Sequence, residues 1–143
     1  MFRLTNWVIG VAVTIISLSL WAYINRPHAL PEWPQQVTGF SFSPYHLGQD
    51  PREKHYPTLK EIDADLALLA GKTVSVRTYS VEDSLAEIPR LARKHNLNVC
   101  LGAYLSYDDE RNAWEFPLFL QVARDNPNVV RAIVGNETQH LGI

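Results

Sequence analysis

Val130-Arg131-Ala132-Ile133-Val134-Gly135-Asn136-Glu137 is an apolar run that stops at Gly-Asn-Glu. Val129 to Val134 has the β-branched composition and the length of a buried strand. An α/β barrel places its chemistry at the C-terminal ends of such strands, often on a carboxylate. Glu137 fits that position. It equally fits a strand-to-helix turn, where a carboxylate near a helix N-terminus is favourable for electrostatic reasons alone. Spacing alone favours the turn.

Working back from this strand, the chain alternates. Val37 to Phe42 reads as a first strand, ended by Ser43-Pro44-Tyr45, and a polar loop runs from His46 to Pro57. Thr58-Leu59-Lys60-Glu61 has capping-box spacing. The helix that follows lines up Leu59, Ile62, Leu66 and Leu69 on one face, with Gly71 placed to end it. Thr73 to Tyr79 is a second strand, on which Arg77 and Tyr79 share a face. Pro89 suits the first turn of a short helix reaching His95. Asn98 to Leu105 is a third strand, followed by an acidic loop from Asp108 to Asn112. A helix is predicted over Pro117–Arg124, with Trp114 as an alternative start, then a turn at Asp125 to Asn128 and the fourth strand. The units recur roughly every 25–37 residues, as βαβ units do. Strands alternating with helices imply a parallel sheet. An open doubly wound sheet fits that alternation too. The barrel reading rests on Tyr45, Arg77, Tyr79, Tyr104 and Glu137, which all fall at or just past C-terminal strand ends.

The other end of the chain is different. Trp7 to Ile24 contains no charged residue and carries Trp7, Trp21 and Tyr23 near its ends. At about 1.5 Å per residue it nearly crosses a hydrocarbon core of about 30 Å, with aromatic residues at interfacial depth. A cleaved signal peptide is the alternative. Bulky Trp21 and Tyr23, with no small-x-small pattern, favour a retained anchor over residues 1–26. Residues 27–36 include Pro27, Pro31 and Pro34 and read as a stiff linker. A domain over 37–143 follows. The expected location is the inner (plasma) membrane, single-pass, with the domain on the extracytoplasmic side.

Composition narrows the function. A net charge of −2 over 143 residues, with no basic stripe, argues against nucleic acid as a partner. The single cysteine, Cys100, rules out an internal disulfide and reads as a small buried strand residue. His28, His46, His55, His95 and His140 have no metal-ligand spacing, so no metal is expected. Isolated glycines offer no phosphate loop and no cofactor is expected.

Five segments in order resemble bacterial glycoside hydrolase family 17 proteins and their β-glucan transglycosylase relatives. They are Gly39 to Tyr45, Ile62 to Ala70, Val76 to Ser80, Leu101 to Leu105 and Val134 to Thr138. The resemblance implies a (β/α)8 TIM barrel, of which residues 37–143 provide about the first four βα units. It implies a retaining mechanism on β-1,3- or β-1,6-linked glucans, with Glu137 as acid/base and Asn136 beside it on the substrate. Tyr79, Arg77, Tyr45 and Tyr104 become candidate substrate-binding residues. For each of these four, packing or a structural ion pair is the plainer alternative.

A retaining glycosidase needs two carboxyl groups about 5–5.5 Å apart. The family's nucleophile belongs at the end of a seventh strand. Glu82, Asp83, Asp108, Asp109 and Glu110 are acidic but read as solvated loop residues. The expectation is a fragment truncated before its nucleophile, with little or no glycosidase activity. A non-catalytic, membrane-anchored glucan-binding module, or one half of a two-chain barrel, is the alternative.

Overall fold

The computed structural model describes residues 2–27, 32 and 34–136. Glu137 therefore lies outside the described residues, as do His28, His140 and half of the linker.

The described residues form four parallel strands and four α-helices, with short 3-10 turns at Pro51–Glu53 and Asp83–Glu87. α1 (Phe2–Ile24) comes first, then β1 (Phe40–Ser41), α2 (Leu59–Leu69), β2 (Ser75–Arg77), α3 (Ile88–Lys94), β3 (Asn98–Ala103), α4 (Asp109–Asp125) and β4 (Val129–Val134). The strands pair in chain order, β1-β2-β3-β4, all parallel. Two compact units result, Met1–Trp33 and Pro34–Ile143.

In the second unit, strand alternation separates two faces. Val76, Val99, Leu101 and Ala103 are fully or almost fully buried. They pack with Ile62 and Leu66 of α2, Ile88, Leu91 and Ala92 of α3, and Phe119 and Val122 of α4. Ser75, Arg77, Asn98 and Cys100 take the opposite positions and are half-buried. Cys100 is thus a half-buried strand residue rather than a core one. β4 breaks the pattern: Val130 and Val134 are exposed.

Three of the expected strands are shorter than their sequence spans, each for a reason visible in its hydrogen bonds. β1 keeps only Phe40 and Ser41 of the expected Val37 to Phe42. The Thr38 carbonyl accepts the Ser75 hydroxyl at 2.7 Å, and Val37 pairs with Thr73 only as an isolated bridge. β2 stops at Arg77. The Gly102 N–H then donates to the Thr78 hydroxyl at 3.1 Å, so a side chain takes over from the ladder. β3 stops at Ala103, because the Tyr104 N–H turns aside to a carboxylate on α4. β4 matches its expected span.

Helix α2 begins as its sequence spacing predicts. The Thr58 hydroxyl and the Glu61 carboxylate cap one another's backbone N–H groups reciprocally. Helix α4 corrects the reading of Asp108 to Asn112 as a loop. Asp108 is its N-cap, accepting from the N–H groups of Glu110 and Arg111, and Asp109 and Glu110 fill the first turn. Pro117 sits inside this helix rather than at its start.

From Trp7 to Ile24 helix α1 carries no charged residue, and its large apolar side chains are exposed. It is long and apolar enough to cross a membrane, and it also suits a signal sequence near the N-terminus.

Candidate functional site

A cavity of about 300 Å³ opens at the C-terminal ends of β1, β2 and β3. Three of the four aromatic and basic residues predicted for substrate line it: Tyr45 after β1, Tyr79 after β2 and Tyr104 after β3. Ser43, Pro44, Thr78, Ser80 and Leu85 complete much of the wall. The turns after parallel strands carry these residues to one rim, as in barrels and open α/β sheets generally.

Arg77 and Asn136 form a separate pair. The Arg77 guanidinium donates to the Asn136 side-chain oxygen at 3.1 Å and stands 4.9 Å over the Tyr79 ring. Among the described residues it is in no ion pair. The bond ties the end of β2 to the turn after β4. Gly135 makes that turn with φ of 79°, in the left-handed region that suits glycine, and its N–H donates to the Ala103 carbonyl at 2.9 Å.

Three residues that sequence reasoning did not select shape the cavity. Glu115 of α4 is completely buried. One carboxylate oxygen accepts the N–H groups of Val81 and Tyr104 at 3.1 and 3.0 Å, and the other accepts the Ser80 hydroxyl at 3.1 Å. It thereby fastens the ends of β2 and β3 to one point. Glu82 was read as a solvated acid. Instead its carboxylate accepts from Arg111 at 2.6 Å, with only about a fifth of the side chain exposed. The Arg111 guanidinium also lies 4.6 Å over the Tyr104 ring, so one face of Tyr104 is already occupied. These partners emerge only once α4 begins at Asp109, which puts Arg111 and Glu115 one turn apart on a helix where the sequence pattern expects Asp108 to Asn112 to be a loop.

The electrostatics fit a rim of neutral hydroxyl donors. Burial, reinforced by the nearby Glu82 charge, pushes the Tyr45 phenol up to about 12. Tyr56, tilted against Tyr45 with ring centres 6.5 Å apart, is also raised by burial and by its hydrogen bond to Glu82. Both hydroxyls therefore stay protonated at neutral pH. Among the described residues no cluster of three or more His, Cys, Asp or Glu is arranged to hold a metal ion.

No family model matches the chain, and no curated protein matches it. Solved structures do. The fold is similar to a glycoside hydrolase family 17 β-1,3-glucanosyltransferase from Rhizomucor miehei, at 21% identity and a TM-score of 0.59. An active-site mutant of the Rhizomucor miehei β-1,3-glucanosyltransferase, in complex with laminaritriose, is similar at 22% identity, again with a TM-score of 0.59. Each match covers 74% of this chain and 38% of the other. An endo-laminarinase from Formosa Hel1_33_131 is similar at 22% identity and a TM-score of 0.54, over 71% of this chain and 31% of that one. The chain thus spans less than two-fifths of each structure it matches. At this identity the likeness shows the fold: four parallel strands alternating with helices, matching part of a family 17 barrel.

Proposed function

We propose that residues 37–143 form the sugar-facing part of a family 17-like (β/α)8 barrel acting on β-glucan, held at a membrane by residues 1–26 through a linker at 27–36. The observation that carries this reading is the convergence of Tyr45, Tyr79 and Tyr104 on one cavity at the C-terminal strand ends. The fold likeness to β-1,3-glucan-active structures supports it. In this reading Glu137 protonates the leaving oxygen, in a retaining mechanism with a partner carboxylate as nucleophile. Asn136, fixed by Arg77, stands next to Glu137 in the chain and is assigned to a sugar hydroxyl.

The partner carboxylate is the weak link in catalysis, and this favours a second reading. Among the described residues Glu115 is the acid buried without exposure, and its oxygens are committed to three hydrogen bonds. Glu82 is committed to Arg111, and Asp108 to the N-terminus of α4. This 143-residue chain by itself is then a glucan-binding, membrane-anchored module.

Titration of the full chain in detergent with laminaritriose, alongside a reducing-sugar assay on soluble β-1,3-glucan, tests both readings. Saturable binding without turnover is the expected outcome. Robust hydrolysis, abolished by Glu137→Gln, would overturn the binding-module reading and establish the acid/base role. Absence of binding would remove the glucan assignment.

A further inference from the structure

We propose that Glu82 and Arg111 form a hydroxyl-reading pair for a neutral saccharide in the rim cavity, and that buried Glu115 is the positioning residue that holds them in place. The proposal rests on reading the cavity as a saccharide site and names the groups that would recognise the ligand there.

The geometry is a closed circuit. Glu115 accepts from the Ser80 hydroxyl, and the Ser80 oxygen in turn accepts from the Glu82 N–H at 3.1 Å. The Glu82 carboxylate accepts from Arg111, and Arg111 covers one face of Tyr104. The Tyr104 N–H returns to Glu115 at 3.0 Å. Ser80, Glu82, Tyr104 and Arg111 all line the cavity, whereas Glu115 lies behind its wall. Three elements meet in this circuit: the turns after β2 and β3, and the first two turns of α4.

The chemistry of the pair suits a polyol. A sugar hydroxyl is both donor and acceptor, so it is best met by an acceptor and a donor side by side. Glu82 accepts, and the planar guanidinium of Arg111 donates in a fixed fork. Arg111 stands between two carboxylates, Glu82 at 2.6 Å and Glu115 at 3.9 Å, so the cluster offers strong local dipoles and no net positive charge that would select an anionic ligand. Arg111 Nε is buried and has no acceptor among the described residues, which leaves one donor of the fork unspent. That donor is closed to solvent, so the guanidinium meets a ligand through the part of it that lines the cavity. Beside the pair, Tyr45 supplies a protonated hydroxyl.

A structural carboxylate alone would not need this circuit. Glu115 satisfies two main-chain N–H groups at strand ends, and its link through Ser80 fixes where Glu82 begins its turn. Removing that link frees Glu82 and Arg111 to swing, while the apolar core beneath α4, which includes Phe119 and Val122, stays packed.

The experiment titrates the full chain in detergent with laminaritriose, cellotriose and maltotriose, comparing wild type with Arg111→Lys, Glu82→Gln, Glu115→Gln and the double variant Glu115→Gln/Arg111→Lys. Arg111→Lys and Glu82→Gln are each expected to weaken binding about tenfold, the size of one charge-assisted hydrogen bond. Glu115→Gln should weaken it similarly and shift the amide resonances of Val81 and Tyr104. The double variant should lose less than the sum of the two single losses, because part of the positioning acts through the residue already lost. If Glu115→Gln does not fold, Ser80→Ala cuts the same circuit at one link and takes its place in the cycle. Unchanged laminaritriose affinity in Arg111→Lys and Glu82→Gln would overturn the pair while leaving the β-glucan reading standing. Additive losses in the double variant would overturn the positioning role. Arg111-dependent binding of cellotriose or maltotriose but not laminaritriose would support the pair and remove the β-1,3-glucan assignment. Binding of none of the three would overturn both.

Discussion

At Gly102 the backbone of β3 passes so close to the chain leaving β2 that a Cβ would collide with the Thr78 carbonyl oxygen and lie 2.8 Å from the Tyr79 Cα. Both neighbours are backbone, so no flexible side-chain end is there to give way. The close approach has a purpose in the site: it lets the turn carrying Tyr79 fold over β3 toward the cavity. Gly102→Ala is expected to destabilise the domain by about 3 kcal/mol or more, the upper range for overpacking a rigid contact. Urea unfolding followed by circular dichroism would check this, and a variant within 0.5 kcal/mol of wild type, roughly the scatter of a neutral surface change, would mean the two segments can part freely. The sequence showed Gly102 only as an isolated glycine, because a backbone-to-backbone approach leaves no pattern in one strand. Glu115 was hidden for a related reason. Its value lies in Ser80, Val81 and Tyr104, which are distant in sequence and contribute mostly main-chain N–H groups. Tyr45, Tyr79 and Tyr104 were legible because strand ends alone place them.

Elements whose ends are set by local chemistry were the readable ones. Thr58 and Glu61 cap α2 reciprocally, as their spacing predicts, and β4 spans the same Val129–Val134 in sequence and structure. Elements ended by distant partners were not. β3 loses two expected residues because Tyr104 bonds to Glu115. α4 is the exception: Asp108 caps it locally, yet the polar run Asp108 to Asn112 reads as a loop, and Pro117 is tolerated inside the helix. Helix α2 also carries two acids that tie it to its surroundings. Asp65 meets the His46 ring at 2.8 Å, and Asp63 meets the His95 ring at 3.0 Å and Lys94 at 3.5 Å. The hydrogen bond to Asp65 raises the His46 pKa, and the hydrogen bond from His95 lowers that of Asp63. The two shifts act on opposite sides of the pH scale. A raised His46 adds stability that is complete below its unfolded value of about 6.5 and lost as pH rises through the higher folded value. A lowered Asp63 adds stability present above about 3.9 and lost as pH falls through its lower folded value. The urea midpoint is therefore expected to be highest between about pH 4 and 6.5, with shallow slopes on both sides because the groups are solvent-exposed. Asp65→Asn should flatten the alkaline slope and Asp63→Asn the acidic one. If each substitution leaves its slope intact, these pairs do not couple to folding.

At the scale of the whole chain, two physical regimes share one sequence. From Pro34 onward, a parallel sheet hides its apolar residues beneath α2, α3 and α4, so hydrophobicity is patterned and interrupted. In α1 it is continuous, and no face of the helix is reserved for water. A helix that is apolar all round finds its stable environment in lipid or in a protein core. None of α1's span is buried within the protein itself. Length and composition fit a membrane span and a signal sequence alike, but the two fates leave different products. A signal sequence is removed, giving a shorter, water-soluble chain. A span is retained with Trp7 and with Trp21 and Tyr23 near opposite interfaces, where amphipathic aromatic rings are favoured. Retention is the expected outcome, because large side chains occupy the positions where a signal peptidase needs small ones. Intact-mass measurement of the expressed protein should give the full 143-residue chain, or that chain less its initiator Met1. The protein should stay with membranes through alkaline carbonate washing and leave them only with detergent. Deleting residues 1–26 should move it to the soluble fraction. A mature N-terminus found beyond Ile24, with the protein soluble, would make α1 a signal sequence and leave the glucan-facing unit untethered.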